Sequence, residues 1–165
     1  MVKTLMDRID KILNHDLFLY HLGRNNAAEA DRRFCRHGMV HFLDVARIGT
    51  IIALEEGLKI DREWIYAAAL LHDCGKHEQY EIGTPHEQAS ARIAPEILKA
   101  CGFDDEETGV IVTAISRHRD PEAAREKNLN GILYRADKAS RACFACDAKK
   151  DCNWKDGKKN LTIKY

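Results

Sequence analysis

The chain lacks any apolar run of the roughly 20 residues that a bilayer-crossing helix requires. Its longest, Ile65 to Leu71, ends at His72 and Asp73. It lacks a recognisable leader as well, because Met1 to Tyr20 alternates charged with apolar residues and offers no signal-peptide core or small-residue cleavage site. The expected location is therefore the cytoplasm. Net charge is absent too: 26 Lys and Arg balance 26 Asp and Glu. Without a long-range field the chain is not expected to hold a nucleic-acid polymer or an anionic membrane. It shows no alternating strand pattern of useful length, no internal repeat and no low-complexity linker, and only three prolines. A length of 165 residues favours one domain. A 45% hydrophobic and 32% charged composition excludes disorder.

What the chain does have is eight histidines and six cysteines. In a reducing compartment the cysteines read as thiols or metal ligands rather than disulfides. Histidine is the commonest metal ligand and acid–base side chain, so its placement carries the reading.

Nearly every segment has helical spacing. Leu5, Ile9, Ile12 and Leu13 repeat at that period, with Phe18, Leu19 and Leu22 extending the pattern to a stop at Gly23. Asn26 is expected to cap a second stretch to Arg33. A third runs from about Gly38 to Glu56, with His41, Val45, Ile48 and Ile52 on one stripe and Gly57 as its end. Asp61 is the expected N-cap of Arg62 to His72, apolar on nearly all sides and hence central. Thr84-Pro85-His86-Glu87 reads as a capping box with proline at the first helical position, opening a helix to about Ala100 that stops at Gly102 and that Pro95 can kink. Asp104 and Glu107 suggest another capping box, for a helix through Ser116, and a last helix covers about Asn130 to Ser140. The expected fold is all-α: a single helical domain over residues 1–142 with a short cysteine-bearing extension over 143–165.

His72 and Asp73 close the most apolar helix. Polar groups there need partners or a metal, since burial without them costs several kcal/mol. Taken alone, the pair fits either a metal or simple satisfaction, Asp73 by Lys76 and His72 by a carbonyl. His41 on its inward stripe, His86 in a first helical turn, His118 after a helix and Asp137 in the segment Ile132-Leu133-Tyr134-Arg135-Ala136 strengthen the metal reading. Imidazoles with carboxylates suit iron, manganese, zinc, cobalt or nickel; an all-oxygen set would suit magnesium.

With the segments HFLDVARI around His41, AALLHDCGK around the doublet and LYRADKASR around Asp137, the chain resembles the HD-domain metal-dependent phosphohydrolases over roughly residues 33 to 142. The resemblance implies metal-ligand roles for His41, His72, Asp73 and Asp137. His86 and His118 resemble the extra histidines of the dinuclear members, which include HD-GYP phosphodiesterases and YqeK-type diadenosine polyphosphate hydrolases. Asp73 would then bridge two ions; in a mononuclear HD enzyme, with one ion, such histidines act on substrate instead. His37 competes with His41 on the same helix face, and the spacing to Val45-Ala46 favours His41. His37 is then a first-turn residue near the pocket mouth. His15, His21 and His77 fit no pattern and read as surface or packing residues.

The expected activity is attack of a metal-activated hydroxide on a phosphoester or phosphoanhydride of a small phosphorylated substrate, a nucleotide or dinucleotide. Lys76, at the family's HD-x-x-K position, and Arg141, four residues after Asp137, are the expected catalytic cations, with Arg117 and Arg119 as further phosphate contacts. Two other readings remain: a metal-binding regulatory or partner-binding module without turnover, and a di-iron oxygenase of HD-like type. The oligomeric state is left open, a homodimer included. In the extension, Cys143, Cys146 and Cys152 spell C-x2-C-x5-C, whose first pair has the spacing of a zinc or iron–sulfur knuckle. Cys35 or His37 can supply a fourth ligand to a structural zinc. Free thiols fit equally, and a redox pair is a third option. Cys74 and Cys101 read as small core residues.

Overall fold

The structure, a computed structural model, describes residues 6–165. Eight α-helices make up the described chain: α1 (Asp7–Leu13), α2 (Asp16–Ala28), α3 (Met39–Glu55), α4 (Arg62–Leu71), α5 (Lys76–Glu81), α6 (His86–Ala100), α7 (Asp105–Arg117) and α8 (Leu129–Ala139). Three short 3-10 turns accompany them, at Pro121–Arg125, Cys143–Ala145 and Asp156–Lys158. No strand occurs among the described residues. This is the all-helical domain that the periodicity predicts; Leu5 lies outside the described residues.

α4 is the centre of the packing. Ile65 and the run Ala67 to Leu71 are buried, and the helix touches α1, α3, α6, α7 and α8. Its alanines let neighbours approach, and Leu70, Leu71, Ile111, Ile115, Ile132 and Phe42 fill the space around it. Each such large side chain contributes roughly 1.5–3 kcal/mol by leaving water. Gly49 in α3 is a contact point: a Cβ there would lie 2.9 Å from Ile65 Cγ2 and 3.2 Å from Ile132 Cγ2.

Two boundaries follow the expected side-chain chemistry: Asp61 accepts from the Glu63 amide, and Asp104 and Glu107 form a reciprocal capping box. The last helix gains a cap that was not foreseen, Asn128, which accepts from the Asn130 and Gly131 amides. Gly57 and Gly102, at φ of 64° and 92°, follow the ends of α3 and α6. Others differ. The first stretch breaks at Asn14, because His15 caps α2 through its ring nitrogen. Gly23 and Asn26 lie inside α2 rather than ending or starting a helix, and residues 32–38 are not helical. The expected capping box at Thr84 is not formed: Pro85 itself takes the N-cap position, one residue too late for the threonine. Helix α6 runs on through Pro95.

The extension is strapped to the end of α8. Buried Asn160 donates to the carbonyls of Lys138 at 2.8 Å and Arg141 at 3.0 Å, and its own carbonyl accepts from the Phe144 amide at 2.9 Å.

Candidate metal centre

The apolar helix α4 runs through the interior, so the residues that follow it emerge inside the molecule. His72 is its C-cap and Asp73 the next residue. The turn they form is held from two sides. Asn25 of α2 donates to the Asp73 carbonyl at 2.9 Å and accepts from the His77 amide at 2.8 Å. Ser90 of α6 accepts from the Gly75 amide at 3.0 Å. Gly75 makes that approach feasible: a Cβ would sit 2.7 Å from Ala89 Cβ and 2.8 Å from the Ser90 amide nitrogen.

Four elements deliver side chains to this turn. His41 comes from the first turn of α3, His86 opens α6, His118 caps the end of α7 and Asp137 lies in the last turn of α8. His41 Nε2 is 3.3 Å from both Asp73 Oδ2 and Asp137 Oδ1. His72 Nε2 is 3.0 Å from Asp73 Oδ2 and 3.6 Å from Asp137 Oδ1. On the other side of the same carboxylate, Asp73 Oδ1 is 3.3 Å from His86 Nε2 and 3.5 Å from His118 Nε2. The donors thus form two groups, His41, His72, Asp73 and Asp137, and Asp73, His86 and His118, each with its ligand atoms within 4.8 Å of one another. Asp73 belongs to both, one oxygen to each.

The other ring nitrogens fix the tautomers. Nδ1 of His72 donates to the Ala69 carbonyl at 2.7 Å, and Nδ1 of His118 to the Ile115 carbonyl at 2.6 Å. His86 Nδ1 donates to Gln79 Oε1 at 2.6 Å. Ser140 Oγ donates to the Asp137 carbonyl at 2.8 Å and so accepts from His41 Nδ1 at 3.2 Å. Each Nε2 is therefore directed inward, the outer-shell pattern of ligating histidines. Consequently the lone pairs of His86 and His118 face each other at 3.2 Å. His41 Nε2, His72 Nε2 and Asp73 Oδ1 are enclosed with no hydrogen-bond partner.

The electrostatics agree. Burial opposes ionisation of Asp73, yet His72, His118 and His41 hold its carboxyl well below the usual range. Asp137 is depressed likewise, against burial, by His41, His72 and Lys138. Burial drives His86 down to about 3, against Asp73 and with help from Lys76, leaving it neutral as a ligand must be. His72 is pulled down by burial but raised to about 10 by Asp73 and Asp137. Those two carboxylates hold a proton where a cation would sit. The donor set suits a divalent transition metal in each group.

Other expected residues divide. Lys76 is buried, not solvated, with Nζ 3.2 Å from His86 Nδ1, and burial lowers its pKa. Arg119 lies at the rim, half-exposed and 3.5 Å from Glu87, which is 3.8 Å from His86 Nδ1. Arg117 is held by Asp120 at 2.7 Å and Glu126 at 2.5 Å, so its guanidinium is engaged away from the ligands. Helix α8 stops at Ala139, so Arg141 does not continue the Asp137 face. It donates to the Arg36 carbonyl at 2.8 Å and lines a separate cavity that reaches His41. His37 precedes α3 rather than occupying its first turn, and its ring lies 5.8 Å from that of His41 and 6.5 Å from that of His86. His21 and His77 are buried and paired at 2.8 Å, packing residues rather than surface ones.

The structural zinc expected at Cys143, Cys146, Cys152 and Cys35 is not formed. Among the described residues no three cysteine sulfurs come within 4.8 Å of one another. A tetrahedral zinc with bonds of about 2.3 Å needs them about 3.8 Å apart. All six cysteines are free; Cys74 and Cys101 are buried in the core, as expected.

Sequence reasoning missed Glu29, Gln79, Tyr80 and Ser140. Buried Glu29 accepts from the His37 amide at 2.6 Å, His37 Nδ1 at 2.5 Å and the Tyr80 hydroxyl at 2.6 Å, which fixes His37 above both groups. No motif marked them, because Glu29, Gln79 and Tyr80 reach the centre only when α2 and α5 pack beside it, and Ser140 only when the end of α8 meets α3.

The sequence model of one family, HD domain, matches residues 38–142. A Clostridium beijerinckii protein described only as an uncharacterized protein is 48% identical over 160 residues, 97% of this chain and 100% of that protein. No solved structure matches.

Proposed function

The chain belongs to the HD domain family, and on that premise we propose that it is a metal-dependent phosphohydrolase with a dinuclear centre, cleaving a phosphoester or phosphoanhydride of a nucleotide or dinucleotide. The observation that supports this reading is the pair of opposed lone pairs on His86 and His118, 3.2 Å apart, beside three enclosed polar atoms without partners. Each unpartnered buried group costs about 1–3 kcal/mol. A cation on either side of Asp73 offsets that cost in both groups at once.

Two divalent ions would supply hydroxide at neutral pH and neutralise the oxygens of a phosphoryl group in an in-line displacement. The chain's own residues do the rest. His41, His72 and Asp137 would hold one ion and His86 and His118 the other, with Asp73 common to both groups. Lys76 Nζ, 3.2 Å from His86 Nδ1, would donate to a phosphate oxygen. His37, oriented by Glu29, has its ring 5.8 Å from that of His41 and 6.5 Å from that of His86 and would meet a bound substrate there.

Hydrolysis of bis-p-nitrophenyl phosphate with added manganese tests the reading. Turnover is expected with the wild-type chain, lost on chelation and lost in Asp73→Ala, whose helical circular dichroism stays near wild type. An Asp73→Ala protein that retains both metal and turnover overturns the site. A metal-loaded wild type that turns over neither this reporter nor a panel of nucleotides and dinucleotides, yet captures a partner only when metal is bound, is a regulatory module instead.

A further inference from the structure

We propose that Cys35, Cys143, Cys146 and Cys152 ligate an iron–sulfur cluster in the cavity they share between the extension and the segment preceding α3. All four line a single void of about 530 Å³. They come from two distant parts of the chain, one before α3 and three after α8, and those parts are tied together by the Arg33–Asp151 ion pair at 2.5 Å and by Arg141, which donates to the Arg36 carbonyl at 2.8 Å. Four cysteines that line one void, with no three of their sulfurs within 4.8 Å of one another, suit a polyatomic body rather than one enclosed ion. In a cluster the thiolates bind different iron atoms around a polyatomic body, so they surround a volume rather than converge on a point. Two, Cys143 and Cys146, bracket a tight turn closed by a 3.2 Å bond from the Cys146 amide to the Cys143 carbonyl.

The surroundings fit an anionic inorganic body. Arg36, Arg141 and Lys149 line the void, and none has a carboxylate partner among the described residues. Asp44 is the one acid in the lining. Phe34, Met39 and Trp154 supply apolar wall, which limits water and slows hydrolytic loss of a cluster. Burial raises the Cys35 thiol, and the other three cysteines push the same way against Arg141, the mutual influence of neighbouring sulfurs that a shared cationic core relieves. Iron and inorganic sulfide are the ligand, and each of the four thiols gives up one proton on ligation.

The test is anaerobic purification of the whole chain from iron-replete cells, with iron, acid-labile sulfide and visible absorption measured. Two or four sulfides per chain and a broad visible charge-transfer band are expected. Iron at the histidine–aspartate centre brings no sulfide, so the two sites are counted separately. Cys146→Ser and Cys152→Ser, made separately, are expected to lose the sulfide and the band while retaining helical circular dichroism and reporter hydrolysis. Asp73→Ala is expected to keep the sulfide. A sulfide-free protein overturns the proposal, whether its four thiols alkylate freely, hold stoichiometric zinc or form disulfides. None of these outcomes depends on whether the chain hydrolyses phosphoesters.

Discussion

Gln79 touches no inward-facing nitrogen, yet it decides where one of them points. Its Oε1 accepts from His86 Nδ1 at 2.6 Å, leaving Nε2 free to face Asp73 and His118. Gln79→Ala is therefore expected to weaken metal at the His86–His118 side about 10–100-fold, the usual cost of losing an outer-shell partner. The His41–His72 side keeps its affinity, and Gln79→Glu, which restores an acceptor, rescues the loss. Metal titration of the three proteins reads this directly; equal loss on both sides would mean general damage. Glu29 gives a second residue-scale expectation. Burial opposes its ionisation, but donors from His37 and Tyr80 bring it down from 4.5 to about 2. A carboxyl depressed on folding stabilises the fold above its unfolded value and loses that contribution as pH falls through its folded value. The urea midpoint of wild type should thus fall more steeply from pH 4.5 towards 2 than that of Glu29→Gln; parallel curves would remove the carboxylate from the argument. The six residues that converge at the centre were legible because each sits beside a motif or on an apolar stripe. Glu29 and Gln79 were not, since each acts through a tertiary neighbour 8 and 7 positions away.

At the scale of elements, the meeting of the α4–α5 turn with α6 governs whether the two halves of the centre form together. Gly75 has backbone and Ala89 within 3 Å of where a Cβ would stand. Gly75→Ala must push α6, and His86 with it, away from Asp73. The cost expected is about 1–3 kcal/mol, typical of overpacking, with loss of the second metal and retention of the first. Thermal unfolding and metal content of the purified variant check both; two ions retained at wild-type stability would show the contact to be soft. Elements with a side-chain cap, such as those begun by Asp61, Asp104 and Asn128, were readable to within a residue or two. Helix α5 was invisible: six residues, no side-chain cap, and too short for a period to show. The break between α1 and α2 hid because a histidine, His15, does a capping task usually left to serine or aspartate.

Across the whole molecule, the apolar core spans α1 to α8 and includes no residue of the extension. The extension is held instead by polar bonds, Asn160 to two carbonyls at the end of α8 and Arg33 to Asp151 at 2.5 Å. A layer held this way opens locally without unfolding the core, since hydrogen bonds of this kind contribute about 0.5–1.5 kcal/mol each. In the chain without a cluster, Asn160→Ala leaves the Lys138 and Arg141 carbonyls without that donor and frees residues 143–165 to lift from α8. Limited proteolysis of the variant should cut within that stretch several times faster than in wild type, while the main thermal transition moves by no more than a few degrees. The site then registers the change through one contact: Ser140, between the two anchored carbonyls, accepts from His41 Nδ1. Metal at the His41 side should accordingly exchange faster in Asn160→Ala, and metal at the His86 side should not. Faster cleavage with a matching collapse of the thermal transition would instead make the extension part of the cooperative core.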